Sequence, residues 1–402
     1  MYSLNRVRQV LVERRPGHTL PRPLYADPEM FAFDLDAIWH RKWIFAGVEA
    51  AIRAPGEWFT LDIAETSVIV LRDHDGDVRA FFNACRHRGS RICTAERGRS
   101  ARLICPYHQW AYDLDGALAS ARMMPADFNN AEYGLRPVHV ELLGGTIYVC
   151  LADNPPDFSA MRAALGPLMA PHELADAKVA TISTIIERGN WKLVMENARE
   201  CYHCAVRHRD LVSVFRDFVD PKDPDVVAHG ERMRAMGLDC GPVRGETYRA
   251  IRLPLGQGAQ TTSTDGKFIG PKTLGRLADR DIGSLRWQSY PNTFNHAFGD
   301  SALMVRFLPI GPQETQVTTF FLVPADAEEG RDYDVGHLAN VWLKTNDEDR
   351  ELVETNQRGV NGLGYVPGPY SLDGERGTAE FIDWYCETAN RHVAPAARAA
   401  AE

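Results

Sequence analysis

Behind an Asp27-Pro28-Glu29 start, apolar side chains at Met30, Phe31, Phe33, Leu35, Ile38 and Trp39 recur at helical spacing as far as His40. Aspartate offers a capping oxygen and proline fits the first helical position, so a helix is predicted there. The chain before it, through Pro23, holds two Arg-Pro steps and predicts an extended arm. From Trp43 the pattern changes to short strand-like runs at 57–61, 67–71, 78–82 and 146–151, with a turn at Asp75-Gly76-Asp77. Asn154-Pro155-Pro156-Asp157 predicts a linker. Beyond it the pattern gives a short helix at 161–169, a strand at 180–187 and a helical stretch from Asn190 to His208. Strands at 283–290, 302–308 and 315–323 follow, then helices at 335–359 and 378–392. The sum is an α+β chain with three parts. Residues 1–41 form an arm and helix that pack on the larger domain, 42–155 a small all-β domain, and 156–402 a larger domain on an antiparallel sheet.

The 402 residues suffice for two domains, and 45% hydrophobic with 25% charged residues is the balance of a soluble globular protein. A net charge of −9 leaves no basic excess to neutralise phosphates, which argues against a nucleic-acid partner. No apolar run reaches the roughly 20 residues a bilayer requires. The polar, Arg-bearing start has no apolar segment behind it and does not resemble a secretory signal. A cytoplasmic protein without a membrane partner is expected. In a reducing compartment the eight cysteines are expected in metal ligation or plain burial, not in disulfides.

Cys85-Arg86-His87 and Cys105-Pro106-Tyr107-His108 form two Cys/His pairs, 17 residues apart. Two thiolates and two imidazoles are a complete ligand set for zinc or for a [2Fe–2S] cluster. Here each loop offers one sulfur and one nitrogen, whereas zinc fingers usually group their ligands as Cys-x-x-Cys and His-x-x-x-His. With Gly89 at the tight turn, the two loops resemble the Rieske cluster motif. The resemblance implies Cys85, His87, Cys105 and His108 as ligands of a Rieske [2Fe–2S] cluster.

A second constellation begins at Asn190-Trp191-Lys192, continues through Glu196-Asn197 and Glu200, and reaches His203 and His208. The two histidines are five apart, one more than a helical pair, so they converge only if the helix loosens or ends between them. A carboxylate from elsewhere would complete a facial triad with positions open for oxygen, and Asn346-Asp347-Glu348-Asp349 offers candidates. The segment resembles the catalytic signature of Rieske oxygenase α-subunits. That family resemblance implies a mononuclear Fe(II) on His203, His208 and Asp349, with Asp347 the nearest competitor. It also implies catalytic roles for Asn197 and Glu200, the latter bridging His108 of one subunit to His203 of its neighbour in a homotrimer. A carboxylate can serve both rings by accepting from each outer N–H. Further implications are a helix-grip (START-like) catalytic domain, with a curved antiparallel sheet flanked by helices, and O₂ as co-substrate. The family's pattern runs through Tyr202-His203 and gives Cys201 and Cys204 no role. No dinucleotide fingerprint or phosphate loop stands in the chain, so electrons are expected from a separate NAD(P)H-dependent flavin/iron–sulfur reductase.

For the substrate, 90–93, 263–267, 356–359 and 367–370 resemble the branch that demethylates glycine betaine and proline betaine. A small quaternary ammonium ligand needs aromatic faces, and Trp287, Tyr290, Phe294, His296, Phe298 and Phe307 are the candidates. Carnitine and choline fit the same description. Oxygenation of an aromatic ring or aromatic acid is the alternative within the family, and a non-catalytic Rieske electron carrier the alternative outside it.

Overall fold

The computed structural model describes residues 2–216, 219–256 and 258–394. Two seven-stranded antiparallel sheets and one of three strands carry it. The first runs Ile44–Val48, Thr146–Cys150, Pro137–Leu143, Val78–Phe82, Thr66–Arg72, Glu57–Ile63, Arg97–Arg99. Glu57–Ile63 alternates buried and half-buried positions, the mark of a strand with one wetter face. The small sheet, Leu103–Ile104, Ala111–Tyr112 and Leu118–Ser120, holds one of the Cys/His loops at its first turn.

The second large sheet runs Lys178–Glu187, Glu314–Val323, Ala302–Gly311, Thr293–Ala297, Ser284–Ser289, Tyr248–Leu253, Val243–Arg244. Nine of the ten residues of Ala302–Gly311 are buried, because this strand is covered on both faces. On one side Phe45 and Tyr148 of the first sheet pack with Trp287, Met304 and Phe320. On the other lie the helices Trp191–Asn197 and Val335–Asn361. The α+β class, the small all-β part and the larger sheet-and-helix part are therefore as expected.

Two local expectations are corrected. Residues 4–12 form a helix rather than an extended arm, because Val7, Val10 and Leu11 make an apolar stripe among the arginines, and it packs on the helix Arg376–Val393. The helix expected as far as His40 is present, with its last five residues, 35–39, in a π turn. The stretch 190–208 is not one helix. Asn190 caps Trp191–Asn197, the chain turns through 198–203, and Cys204–Arg207 adds one more turn. A buried Lys192–Asp34 ion pair, with Trp191 and Tyr385 also donating to Asp34, fixes the helix that leads into this turn. Gly377 is required here, since a side-chain carbon on it would lie 2.2 Å from the Arg199 carbonyl oxygen.

Candidate active site

The first constellation is built on paired loops of like construction. Gly89 N–H closes back on the Cys85 carbonyl at 2.8 Å, and Gln109 N–H on the Cys105 carbonyl at 3.0 Å. Both closing residues take left-handed backbone, φ +77° and +59°, which suits Gly89. The result is two buried sulfurs, with Tyr112 Oη 3.2 Å from the Cys85 sulfur, and two half-exposed imidazoles. His87 Nδ1 lies 3.2 Å from His108 Nδ1, and His87 stacks on Trp110. Burial raises the Cys85 thiol pKa, and the adjacent Cys105 adds to it. Two sulfurs held together at depth and two imidazole nitrogens converging nearer the surface fit a cluster with one sulfur-bound and one nitrogen-bound iron.

In the second constellation, His203 Nε2 and His208 Nε2 are 3.0 Å apart, and Asp349 Oδ1 is 3.2 Å from the first and 3.0 Å from the second. An ion roughly 2.1 Å from three donors at right angles spaces them by about 3.0 Å, so the triangle fits one metal ion. The helix break reconciles the five-residue spacing, since His208 follows a single turn of helix. Behind the triangle, His203 Nδ1 meets Glu200 Oε1 at 2.5 Å and His208 Nδ1 meets Glu348 Oε2 at 2.7 Å. Burial opposes protonation of His203, but Asp349 and Glu200 outweigh it and raise its pKa to about 9. Burial likewise works against ionised Asp349, and the two imidazoles hold its pKa below the usual range. Asp347, the competitor, is exposed and pairs with Arg350 at 2.9 Å. Glu348 was not singled out from the sequence.

The expectation of unbridged cysteines is corrected at one place. Cys201 and Cys204 are joined in a disulfide, because the turn after Asn197 brings their Cα atoms to 4.9 Å. The Cys204 sulfur lies within 4.8 Å of the two imidazole donors but is committed to that bond.

The triangle opens on a cavity of about 500 Å³ that Asn197 and Glu200 also line. Of the six aromatic candidates, Trp287, Phe294 and His296 border it. Tyr290, Phe298 and Phe307 do not, and stand behind the wall. Tyr290 turns to Phe381 and Trp384 of the last helix, Phe298 stacks under His296, and Phe307 backs Phe294. Two rings absent from the sequence reading complete the wall, Phe215 and Trp342. Centroids lie 5.0 Å apart for His296–Trp342, 5.4 Å for Phe215–His296 and 5.8 Å for Phe294–His296. Burial, then the nearby Arg286, keep His296 neutral, and its Nδ1 lies 3.1 Å from Ser284 Oγ. Trp342 donates to Thr262 Oγ1 at 2.8 Å.

Residues 42–136 match the Rieske [2Fe–2S] domain, and residues 174–390 match the ring hydroxylating alpha subunit (catalytic domain). The glycine betaine monooxygenase oxygenase subunit of Chromohalobacter salexigens is 43% identical over 392 residues, spanning 94% of this chain and 87% of that protein. The glycine betaine monooxygenase oxygenase subunit of Pseudomonas aeruginosa is 44% identical over 388 residues, 94% and 90% of the two chains. The solved structure of the quaternary ammonium Rieske monooxygenase CntA shares the fold with a TM-score of 0.73 at 19% identity, over 95% of this chain and 98% of that one. The cofactors are accordingly a Rieske [2Fe–2S] cluster and a mononuclear iron, and the donor sets fit both. The chain belongs to the family of Rieske-type non-haem iron oxygenase α-subunits.

Proposed function

We propose that this chain is the oxygenase component of a monooxygenase that hydroxylates an N-methyl group of a betaine-type quaternary ammonium compound. The hydroxylated carbon forms a carbinolamine, which collapses to formaldehyde and the demethylated amine. Cys85, His87, Cys105 and His108 would hold the cluster, and His203, His208 and Asp349 the iron. Bound there, the two centres supply single electrons and O₂ activation.

The observation that carries the substrate reading is the ring wall beside the triangle. An onium group is attracted to ring faces by roughly 0.5 to 2 kcal/mol per contact. One side of Phe215 is taken by the Arg286 guanidinium, 3.7 Å from the ring centroid, which leaves Phe294, His296 and Trp342 for the ligand. A neutral His296 presents a ring rather than a second cation, and the bond from Trp342 to Thr262 holds that ring in place. Identity of 43–44% to glycine betaine monooxygenase oxygenase subunits supports the same reading.

The working assembly is a head-to-tail homotrimer in the cytoplasm, reduced by a separate NAD(P)H-dependent reductase. Exposed apolar side chains flank both metal sites, Tyr107 beside His108 at 60% exposure and Tyr202 beside His203 at 62%, as expected of surfaces that meet. Glu200, already on His203, would accept from the partner's cluster imidazole through a remaining lone pair. A non-catalytic electron carrier would have no use for the His203–His208–Asp349 triangle.

The test is aerobic turnover of iron-loaded protein with a surrogate reductase. Glycine betaine, proline betaine, carnitine, choline and benzoate-like acids are compared by formaldehyde release and product mass. Formaldehyde stoichiometric with one betaine is the expected result. Oxygen added to an aromatic acid without formaldehyde would leave the metal sites and overturn the substrate.

A further inference from the structure

Arg199 is a buried cation with no acidic partner among the described residues. Its Nη1 donates to Gln288 Oε1 and its Nη2 to the Thr293 carbonyl at 3.1 Å, and the guanidinium lies 5.1 Å from the Tyr290 ring centroid. Its buried Nε has no partner among the described residues. Burial lowers its pKa to about 9, and the neighbouring Arg249 contributes a like charge where a counter-charge would help. A guanidinium shut away from water carries a desolvation cost that a bound anion offsets.

The surroundings repeat the sign. Arg244 and Arg376 reach Glu380 at 2.9 Å and 3.6 Å, and Arg249 holds its other oxygen, so three guanidiniums share one carboxylate. All three line the same cavity as Arg199. Arg244 and Arg376 are largely exposed, which marks the arginine side as one that opens to solvent. The rest of the lining includes the neutral rings, the carboxylates of Glu200, Asp349 and Asp373, and Arg286, whose guanidinium is stacked on Phe215. The cavity therefore has an arginine-rich side and an aromatic side next to the metal triangle, where the one guanidinium, Arg286, is taken up on Phe215. The step between them is short. Gln288, which holds Arg199, pairs across the strands with Phe294, and His296 lies two residues further along, a rise of roughly 7 Å.

We propose that Arg199 binds the carboxylate of a short zwitterionic substrate and thereby sets which end of it faces the metal triangle. The inference rests on the quaternary ammonium reading and narrows it. The favoured compounds carry a carboxylate one or two carbons from the onium nitrogen, and the carboxylate sits on Arg199 while the onium lies against Phe294, His296 and Trp342. Onium compounds without the carboxylate lose the anchor.

The test is anaerobic calorimetric titration of the cluster- and iron-loaded protein, without turnover, using glycine betaine, its methyl ester and choline. The wild type is expected to bind glycine betaine at least about tenfold more tightly than the ester, as loss of a charge-assisted hydrogen bond dictates. Arg199→Gln is expected to weaken glycine betaine about 30-fold and to change the ester and choline less than threefold, with Arg199→Lys recovering most of the loss. An equal loss for all three ligands would overturn the proposal, because a merely structural Arg199 predicts that pattern. If the variants do not fold, the wild type still decides: equal affinity for betaine and ester overturns the role of Arg199 while leaving the onium reading intact. No binding of any onium compound to the wild type would overturn that reading, and this inference with it.

Discussion

Glu348→Gln tests whether the carboxylate behind His208 tunes the metal triangle. Glu348 Oε2 lies 2.7 Å from His208 Nδ1, in the same relation that Glu200 Oε1 has to His203 Nδ1 at 2.5 Å. A carboxylate behind an imidazole fixes the ring and makes the far nitrogen a stronger donor to a metal. Glutamine keeps the length and the acceptor but removes the charge, so no cavity or clash confuses the result. Loss of such a partner typically weakens metal binding 10- to 100-fold. Glu348 is 23% exposed, so water screens part of the effect and the lower end applies. The expected loss is about tenfold in Fe(II) affinity, on the order of 1.4 kcal/mol.

The assay is anaerobic competition for Fe(II) against a chelator, with the visible absorption of the cluster as internal control. The cluster loops belong to other sheets, so that absorption is expected to stay at the wild-type level. Unchanged iron affinity in a variant with a full cluster would refute the reasoning and reduce Glu348 to a surface acceptor. Loss of both metals together would mark a folding defect, and Glu348→Asp would then serve as the milder probe.

Other expectations follow from single contacts. Glu200→Ala should keep the cluster, weaken Fe(II) binding at least as much as Glu348→Gln does, and at saturating iron still lower turnover to near background; retained turnover would remove Glu200 from the electron path. Trp342→Leu should raise KM for the onium substrate about 5- to 30-fold by removing one ring face, read against the neutral isostere 3,3-dimethylbutanoate, which should lose less. Glu196 is buried, and burial outweighs the bonds from Tyr25 and Tyr370 to raise its pKa to about 7. An acid raised in the folded state stays protonated there while the unfolded chain ionises, so its contribution is present below about 4.5 and lost as pH rises through 7. Between pH 5 and 8 the stability of Glu196→Gln should gain on the wild type by about 2.5 kcal/mol in denaturant titrations; parallel curves would show that Glu196 does not titrate in this window.

Local pattern carried most of the architecture. The Asp27-Pro28 start, the alternating strands and the two Cys/His loops each depend on a few neighbouring residues, so they were legible in the chain. The helix at 4–12 was hidden because Arg6, Arg8, Arg14 and Arg15 mask a stripe of only three apolar residues. The turn at 198–203 was signalled by the histidine spacing alone, since nothing in Ala198-Arg199-Glu200 forbids a helix. Its cause is tertiary: Gly377 admits the Arg199 backbone, and Arg199 reaches across to Gln288 and Thr293. Phe215 could not have been found from pattern, for it follows a six-residue helix and meets its ring partners through strands and a helix far along the chain.

The carboxylate of the triangle was more legible than the motif match suggested. Along Val335–Asn361 the buried residues Leu338, Trp342, Thr345, Val353, Gln357 and Val360 fall three or four apart, except for one gap between Thr345 and Val353. Asp349 fills that gap in step, four residues from each, whereas Asp347 lies off the stripe. An acid on the inward face of a helix is expensive unless a cation meets it. Two neutral imidazoles do not supply one, and with Asp349 they make three acceptors about 3 Å apart. Protonating an imidazole relieves the conflict, as the raised His203 pKa of about 9 records, and a divalent metal relieves it more completely. The stripe that selects Asp349 also carries Trp342, two turns earlier on the same face. A single helix face thus brings a metal-binding carboxylate and a ring of the proposed onium site to one cavity.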